Sequence, residues 1–253
     1  MLDEVCMFED SVKLVMHVFD AEIRAKIDDG TLTGTFYKNF DSSYRIPFTA
    51  AFGQEHRFEN TGEEAATDFT GKYDVQFITD TDTVMNVGIF NQKGNYVDGT
   101  FLSSTGDYRY LEGSVTGNTM QLSEFDGNYL YLVKLQKTDS VTLSGDFWSG
   151  KSSHSMLNGR KNDNAALPDA ESLTYLKKGF DKIEFSFPDV NGKTISSSDE
   201  KFKGKVVILQ IFGTWCPNCL DETRFLVPWY NENKDRGVEI IGHSRRLLST
   251  TWN

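Results

Sequence analysis

Apolar and polar residues alternate along the first half of the chain. Between residues 18 and 27 the apolar side chains fall on one face of an extended strand and the charged side chains on the other. The apolar face comprises Phe19, Ala21, Ile23, Ala25 and Ile27. This period of two residues predicts a half-buried β-strand. The alternation returns between Tyr44 and Phe52, where Pro47 predicts an edge or bulged strand because proline cannot donate a ladder hydrogen bond.

Further strand-like segments follow at short intervals up to residue 150. They lie near residues 73–79, 84–90, 96–102, 107–115, 119–125, 128–136 and 141–148. Asp126-Gly127, between two of them, predicts a tight hairpin. A succession of short strands separated by turn signals is typical of an antiparallel barrel or sandwich. We therefore predict an N-terminal antiparallel β-domain over residues 1–165.

A polar, turn-rich stretch over residues 150–166 predicts a connecting segment rather than a strand. Residues 166–182 then predict a linker with a short helix, because Pro168 stands at its start, Lys177 and Lys178 in its last turn, and Gly179 at its end. We therefore place the start of a second domain at residue 183.

The pattern changes in this second domain, residues 183–253. Residues 206–212 form a near-continuous apolar stretch, typical of a strand that is covered on both faces. A helical segment over residues 217–234 ends before Gly237, and residues 238–241 predict another strand. This β-α-β order predicts two parallel strands with a right-handed crossover. The predicted fold class is a two-domain α+β chain.

Composition narrows the range of functions. The 253-residue chain has a formal net charge of −11, which argues against nucleic-acid partners because phosphate binding needs a basic face. The sequence contains no run of 18 apolar residues, so it predicts no membrane-spanning helix. The acidic N-terminal residues do not form a signal peptide. Three cysteines are too few for a disulfide scaffold, so their chemistry has to be local.

Two of the three cysteines form the motif Cys216-Pro-Asn-Cys219 directly after the apolar strand. A thiol at a helix N-terminus has a lowered pKa, because the helix dipole and free N–H groups favour the thiolate. Cys216 is therefore the predicted nucleophile towards a substrate disulfide. Cys219, one turn further and more buried, is the predicted resolving thiol. Pro217 suits the first helical turn because it has no N–H to leave unpaired.

Other residues near the motif allow more than one interpretation. Glu222 shares a helix face with Cys219 and could exchange a proton with it, or could be an ordinary solvated carboxylate. A structural zinc site is disfavoured, because the motif offers two ligands and the four histidines are scattered. We predict no metal and no cofactor. Cys6 is interpreted as an ordinary thiol.

From about Phe185 to Gly242 the sequence resembles the thioredoxin superfamily, and within it the TlpA/ResA-like thiol–disulfide oxidoreductases of bacterial envelopes. The resemblance rests on Phe187-Pro-Asp-Val-Asn-Gly-Lys193, on the run from Phe202 to Cys219, and on Leu220-Asp-Glu-Thr223. Peroxiredoxins share a similar lead-in, but they need a threonine three residues before the cysteine. Thr214 is only two before Cys216, so peroxidase chemistry is disfavoured.

The resemblance implies a redox-active Cys216–Cys219 disulfide, with Trp215 as flanking aromatic residue and an acid at the position of Glu222. Gln210 stands where thioredoxins proper keep a buried aspartate. The implied partners are protein disulfides or a partner redox protein, and the implied location is the periplasm or cell envelope.

The resemblance covers about a quarter of the chain and implies an incomplete thioredoxin-like domain. No proline follows Pro228, so the cis-proline strand of the superfamily has no counterpart. We therefore expect a C-terminally truncated domain with impaired exchange and an open sheet edge that invites dimers or aggregates. Pro228 predicts a kinked or broken helix near Arg224. The alternative function is a β-domain that binds an apolar or glycan ligand or a partner, with a vestigial redox module.

Overall fold

The structure is a computed structural model that describes residues 3–54, 56–58, 62–213 and 216–244. The chain divides into two compact units, Met1–Pro168 and Asp169–Asn253. The first unit contains two antiparallel β-structures, a five-stranded sheet and a barrel. The second contains a short hairpin and a β-α-β arrangement.

The five-stranded sheet is a meander in which each strand pairs with the next along the chain. Its strands are β1 (Glu4–Met7), β2 (Ser11–Met16), β3 (Ala21–Asp28), β4 (Thr31–Lys38) and β5 (Asp41–Ala51). Ile23 pairs with Phe36 on the face that carries the buried cluster. The last strand lies at the edge of the sheet, which agrees with the prediction from Pro47.

The remaining strands of the first unit build a barrel. They are β6 (Gly71–Ile78), β7 (Thr83–Lys93), β8 (Tyr96–Ser103), β9 (Gly106–Asp107), β10 (Leu111–Thr116), β11 (Thr119–Phe125), β12 (Leu130–Lys137), β13 (Thr142–Ser149) and β14 (Ser153–Lys161). Eight of them form a closed ring, because β14 pairs with β6 and β10 pairs with β8, while β9 only extends the hairpin of β8. Of the predicted barrel or sandwich, the barrel is therefore observed.

The prediction of a connecting segment over residues 150–166 is wrong, because the strand β14 occupies most of these residues. This strand is the one that closes the ring between β13 and β6. Its buried, inward-facing residues are Ser155, Leu157 and Gly159. Only Leu157 has a large apolar side chain, so the apolar alternation is too weak to recognise in the sequence. Gly159 is required by packing, since a Cβ there would come within 2.4 Å of Leu143 Cδ1.

The barrel interior is filled with side chains, as an eight-stranded ring permits. Sixteen buried residues from all eight ring strands and the loop before β6 form one cluster: Phe69, Tyr73, Val75, Phe77, Phe90, Val97, Phe101, Leu111, Val115, Met120, Leu122, Val133, Leu135, Leu143, Phe147 and Leu157. At one end Tyr108 enters the cluster, with its ring centroid 5.4 Å from those of Phe77 and Phe147. Burial of this apolar area is the main stabilising term of the first unit.

β11 and β12 form the hairpin predicted at Asp126-Gly127, but the loop that connects them has four residues rather than two. Asp126 Oδ1 accepts hydrogen bonds from the backbone N–H groups of Asn128 and Tyr129, both at 2.8 Å, and this Asx-type turn replaces the two-residue loop. Gly127 (φ +103°) lies against the meander, where a Cβ would come within 2.8 Å of Phe19. This loop of the barrel therefore packs against the meander.

The second unit contains α1 (Ala170–Leu173), β15 (Ser186–Pro188), β16 (Thr194–Ser196), β17 (Val206–Phe212), α2 (Pro217–Asn233) and β18 (Val238–Ser244). The helix predicted over residues 168–179 is reduced to the four residues of α1. The pairing of β17 with β18 is parallel, as predicted.

One further expectation for the second unit is wrong, and another is wrong in part. The strand β17 is not covered on both faces within the described residues, because Val206 and Ile211 are 68% and 69% exposed. The helix α2 continues through Pro228, so the predicted break is wrong, whereas the predicted kink stays a prediction. Pro228 and Arg224 are both exposed, so water can satisfy the carbonyl group that the proline leaves without its helical N–H.

Candidate redox site

The helix α2 begins where the apolar strand β17 ends, and this junction places the first cysteine. Cys216 is the N-cap of α2 and Pro217 is the first helical residue, which is the helix start that the sequence predicts. Cys216 Sγ accepts a hydrogen bond from the backbone N–H of Cys219 at 3.3 Å. An N–H donor and the positive end of the helix dipole therefore face this sulfur, and both stabilise a thiolate when the pair is reduced.

Cys216 and Cys219 form a disulfide with a Cα–Cα distance of 5.2 Å. This separation lies within the range that a disulfide spans without backbone movement. Both residues are half-buried, so the pair is neither sealed in a core nor fully in solvent. The predicted greater burial of Cys219 stays a prediction.

A hydrogen-bonded chain of three side chains lies beside the pair. Gln210 on β17 is only 8% exposed, and its amide donates to Glu222 Oε2 at 3.0 Å and to Thr223 Oγ1 at 3.2 Å. The Thr223 hydroxyl in turn donates to the carbonyl oxygen of Cys219 at 2.7 Å. Because a carboxylate only accepts hydrogen bonds, the group of Gln210 that faces Glu222 has to be the NH₂. These hydrogen bonds link the Glu222 carboxylate, through Gln210 and Thr223, to the backbone of Cys219.

The predicted site residues are placed as follows. Cys216 and Cys219 are bonded to each other, and Pro217 is the first residue of α2. Glu222 is exposed on α2 and is held by Gln210; no hydrogen bond joins it to either sulfur within residues 216–244. Trp215 lies outside the described residues.

Gln210 and Thr223 are the two residues that the sequence prediction did not assign to the site. A signal for Gln210 was available, because it is the only polar residue in the stretch from Val206 to Phe212. A lone buried amide in an apolar strand needs partners, and the nearest ones come from the helix that follows. Thr223 had no such signal, since a threonine on a helix surface is common.

The third cysteine provides a contrast. Cys6 lies on β1 and its thiol donates a hydrogen bond to Glu4 Oε1 at 3.2 Å. This bond to a carboxylate raises the pKa of the Cys6 thiol, since the proton is held and a thiolate would be repelled. Cys6 therefore lacks the activation that the helix N-terminus gives Cys216.

Two absences among the described residues concern metal sites and membrane spans. No group of three or more His, Cys, Asp or Glu side chains is arranged to hold a metal ion in this part of the chain. None of the described helices combines the length and apolar character that crossing a membrane requires.

Comparisons with known proteins give one family match and several similar proteins. Residues 180–247 match the AhpC/TSA family. The chain is similar to the thiol-disulfide oxidoreductase ResA of Bacillus subtilis, with 40% identity over 78 residues that cover 31% of this chain and 41% of ResA. It is also similar to ResA of Bacillus anthracis, with 40% identity over 63 residues, 25% of this chain and 35% of that protein.

The thiol:disulfide interchange protein DsbE of Vibrio cholerae is 32% identical over 92 residues, which cover 35% of this chain and 48% of DsbE. The chain thus spans less than half the length of each of these three relatives. No solved structure matches the chain significantly.

Proposed function

Because the second unit is a TlpA/ResA-like part of the thioredoxin superfamily, we propose that this chain is a thiol–disulfide oxidoreductase that acts on protein disulfides through Cys216 and Cys219. The observation that carries the proposal is the bonded cysteine pair at the N-terminus of α2, directly after an apolar strand. The proposed site of action is the periplasm or cell envelope, in line with the resemblance.

The proposed reaction has two exchange steps. In the first, the Cys216 thiolate attacks one sulfur of a substrate disulfide, forming a mixed disulfide and releasing the other substrate sulfur as a thiolate that takes up a proton. In the second, the Cys219 thiolate attacks Cys216 Sγ and releases the remaining substrate thiol. Two electrons pass to the substrate, which becomes a dithiol, and the chain returns to the Cys216–Cys219 disulfide.

Each neighbouring group has a role in these steps. The N–H of Cys219 and the helix dipole stabilise negative charge on Cys216 as attacking and leaving group. Glu222 accepts the proton of Cys219 before the second step, directly or through one water. Gln210 positions Glu222, because its amide restrains a carboxylate that is otherwise exposed.

The alternative function, a ligand held inside the β-domain with a vestigial redox module, has less support. Sixteen buried side chains occupy the barrel interior, in the place where such a ligand would bind. The dimer or aggregate expected from the sheet edge stays a prediction; within the described residues, β17 and β18 pair only with each other.

The proposal is tested by trapping the mixed disulfide. The reduced chain is incubated with oxidised insulin and analysed by non-reducing electrophoresis and mass spectrometry. We expect Cys219→Ser to accumulate a covalent adduct at Cys216, and Cys216→Ser to form none and to lose exchange. Cys6→Ser is the matched control and should behave as the unaltered chain.

Adduct formation at Cys6, or exchange by the Cys216→Ser chain, would contradict the assignment. The same assay, run with the unaltered chain, measures its turnover. It thereby tests the expectation of impaired exchange that the sequence raised.

A further inference from the structure

A cavity of about 510 Å³ opens in the first unit where the meander meets the barrel. Its walls come from three places: the end of β4 with the start of β5, the loop between β11 and β12, and the turn between β13 and β14 with its flanking residues. Its volume lies within the range of about 300–1,000 Å³ that is usual for small-molecule sites. We propose that this Lys38 cavity binds a small molecule through an anionic carboxylate or phosphate group.

Lys38 is the residue that points to an anion. Its ammonium group is half-buried and lies 4.6 Å from the ring centroid of Tyr44 and 5.9 Å from that of Phe40. It forms no hydrogen bond or ion pair with any residue in the described part of the chain. Burial lowers the pKa of Lys38, although Asp126 and Asp41 oppose this effect. A partly desolvated ammonium with three free donors is costly, and an anion would satisfy it.

Other lysines of the first unit differ from Lys38, because their ammonium groups donate hydrogen bonds to the protein. Lys151 donates to the carbonyl oxygen of Ser43 at 3.0 Å, and Lys161 to that of Thr70 at 2.9 Å. Lys137 donates to the carbonyl oxygen of Asp68. Each of these ammonium groups is fixed by the protein itself, whereas Lys38 lines the cavity and its ammonium group has no acceptor among the described residues.

The charge balance of the walls also favours an anion. Two lysines, Lys38 and Lys151, and one aspartate, Asp41, line the cavity. The Asp41 carboxylate already accepts hydrogen bonds from the N–H and hydroxyl groups of Ser43, at 2.9 and 2.7 Å. Asp126 faces Arg109, with Oδ2 3.5 Å from Nε. The nearby carboxylates are therefore engaged by other groups, and a positive charge remains for a ligand.

The shape of the cavity is fixed by a close contact. Gly150 adopts a left-handed conformation (φ +60°), and a Cβ there would come within 2.7 Å of the Tyr44 hydroxyl. Tyr44 is thereby held against the turn between β13 and β14. Hydroxyl groups add neutral hydrogen-bonding partners around the charged centre; they belong to Ser43, Tyr44, Ser149, Ser152 and Ser153.

The test uses the full ¹⁵N-labelled chain and three probes: phenyl phosphate, benzoate and, as a neutral control, benzyl alcohol. Inorganic phosphate is added separately to distinguish a free ion from an anion carried on a larger molecule. We expect saturable amide shifts for residues 128–130 and 149–153 with the two aromatic anions, weaker ones with inorganic phosphate, and none with benzyl alcohol.

Variants identify the group responsible. Lys38→Met should weaken binding of phenyl phosphate by about tenfold or more, because a charge-assisted hydrogen bond is lost. Lys134→Met, which removes an exposed lysine from β12, should leave binding unchanged.

A second readout needs no variant. Bound phenyl phosphate should slow the acetylation of Lys38 in the unaltered chain, measured by mass spectrometry, but not that of Lys134. Shifts that do not saturate, equal shifts with benzyl alcohol, or equal acetylation of Lys38 with and without phenyl phosphate would overturn the proposal.

Discussion

The two units of this chain differ in how much of their apolar surface they bury. The first unit has two clusters of buried side chains and a ring of strands without a free edge. Among the described residues of the second unit, Phe202 is the single apolar side chain that is fully buried, and the β17–β18 sheet has only two strands. The proposed chemistry nevertheless belongs to the second unit.

The part of the chain that contributes most of the apolar burial is therefore not the part that carries the proposed chemistry. A closed barrel satisfies its backbone groups internally and gains most from apolar burial. The redox pair needs a helix N-terminus and access for a substrate disulfide, and neither requires a large core. Changes in the barrel should therefore act on folding, and changes around β17 and α2 on exchange.

The largest effect should come from the barrel core. Leu135→Ala on β12 removes a side chain that is 0% exposed, and we expect the free energy of unfolding to fall by about 2–5 kcal/mol. Leu132→Ala on the same strand removes a side chain that is 40% exposed, and should lower the free energy of unfolding by much less than Leu135→Ala does. Urea denaturation measures both.

Neither leucine variant should alter the rate of thiol–disulfide exchange under conditions where the chain is folded. A parallel loss of exchange rate in Leu135→Ala would break the separation between the two units.

An intermediate effect should come from a carboxyl group at the end of β11. Glu124 is 9% exposed, and burial raises its pKa to about 8 from an ordinary value of 4.5; Asp126 adds to the rise and Arg109 opposes it. Between these two values the folded chain holds a proton that the unfolded chain has lost. The first unit should therefore lose stability as pH rises from about 4.5 to about 8, with a slope of at most about 1.4 kcal/mol per pH unit.

Glu124→Gln keeps the shape of the side chain and removes its titration. The pH dependence of the unfolding free energy should become flatter in this window, and the variant should be more stable than the parent at pH 8. Thermal or urea unfolding over a series of pH values measures this. A parent and a variant with the same slope would show that Glu124 does not stay protonated in the barrel.

The smallest effect should come from the amide beside the cysteine pair. Gln210→Leu removes the donor that holds Glu222, and we expect the step in which Cys219 resolves the mixed disulfide to slow by a few-fold. The pH dependence of that step should approach that of Glu222→Gln, since the first change removes the positioning of the carboxylate and the second removes the carboxylate itself. Stopped-flow kinetics with a chromogenic disulfide measures it.

Gln210→Glu is the matched comparison, because it keeps the size of the side chain but places a second carboxylate against Glu222. If Gln210→Leu slows the step while its pH profile keeps the shape of the parent's, Gln210 has only a packing role.

Some strands and site residues could be predicted from the sequence and others could not, and the difference has a physical reason. Strands such as β11, predicted over residues 119–125 and observed as Thr119–Phe125, carry strong alternation and are found almost to the residue. The strand β14 was missed because Ser155 and Gly159 point inward without an apolar signal. Likewise, Cys216 and Cys219 were evident from their spacing, whereas the partner of Glu222 was not.

The Cys216-Pro-Asn-Cys219 motif, its position at a strand-to-helix junction and the antiparallel character of the first unit could be predicted from the sequence, because they depend on local periodicity and spacing. Three features became visible only in the folded chain: the strands close into a ring, Gln210 holds Glu222, and Lys38 lines a cavity with no acceptor among the described residues. Each of these depends on contacts between residues that are distant in sequence or on different elements. Local pattern cannot specify them, because it records which face of an element is buried but not which neighbour covers that face.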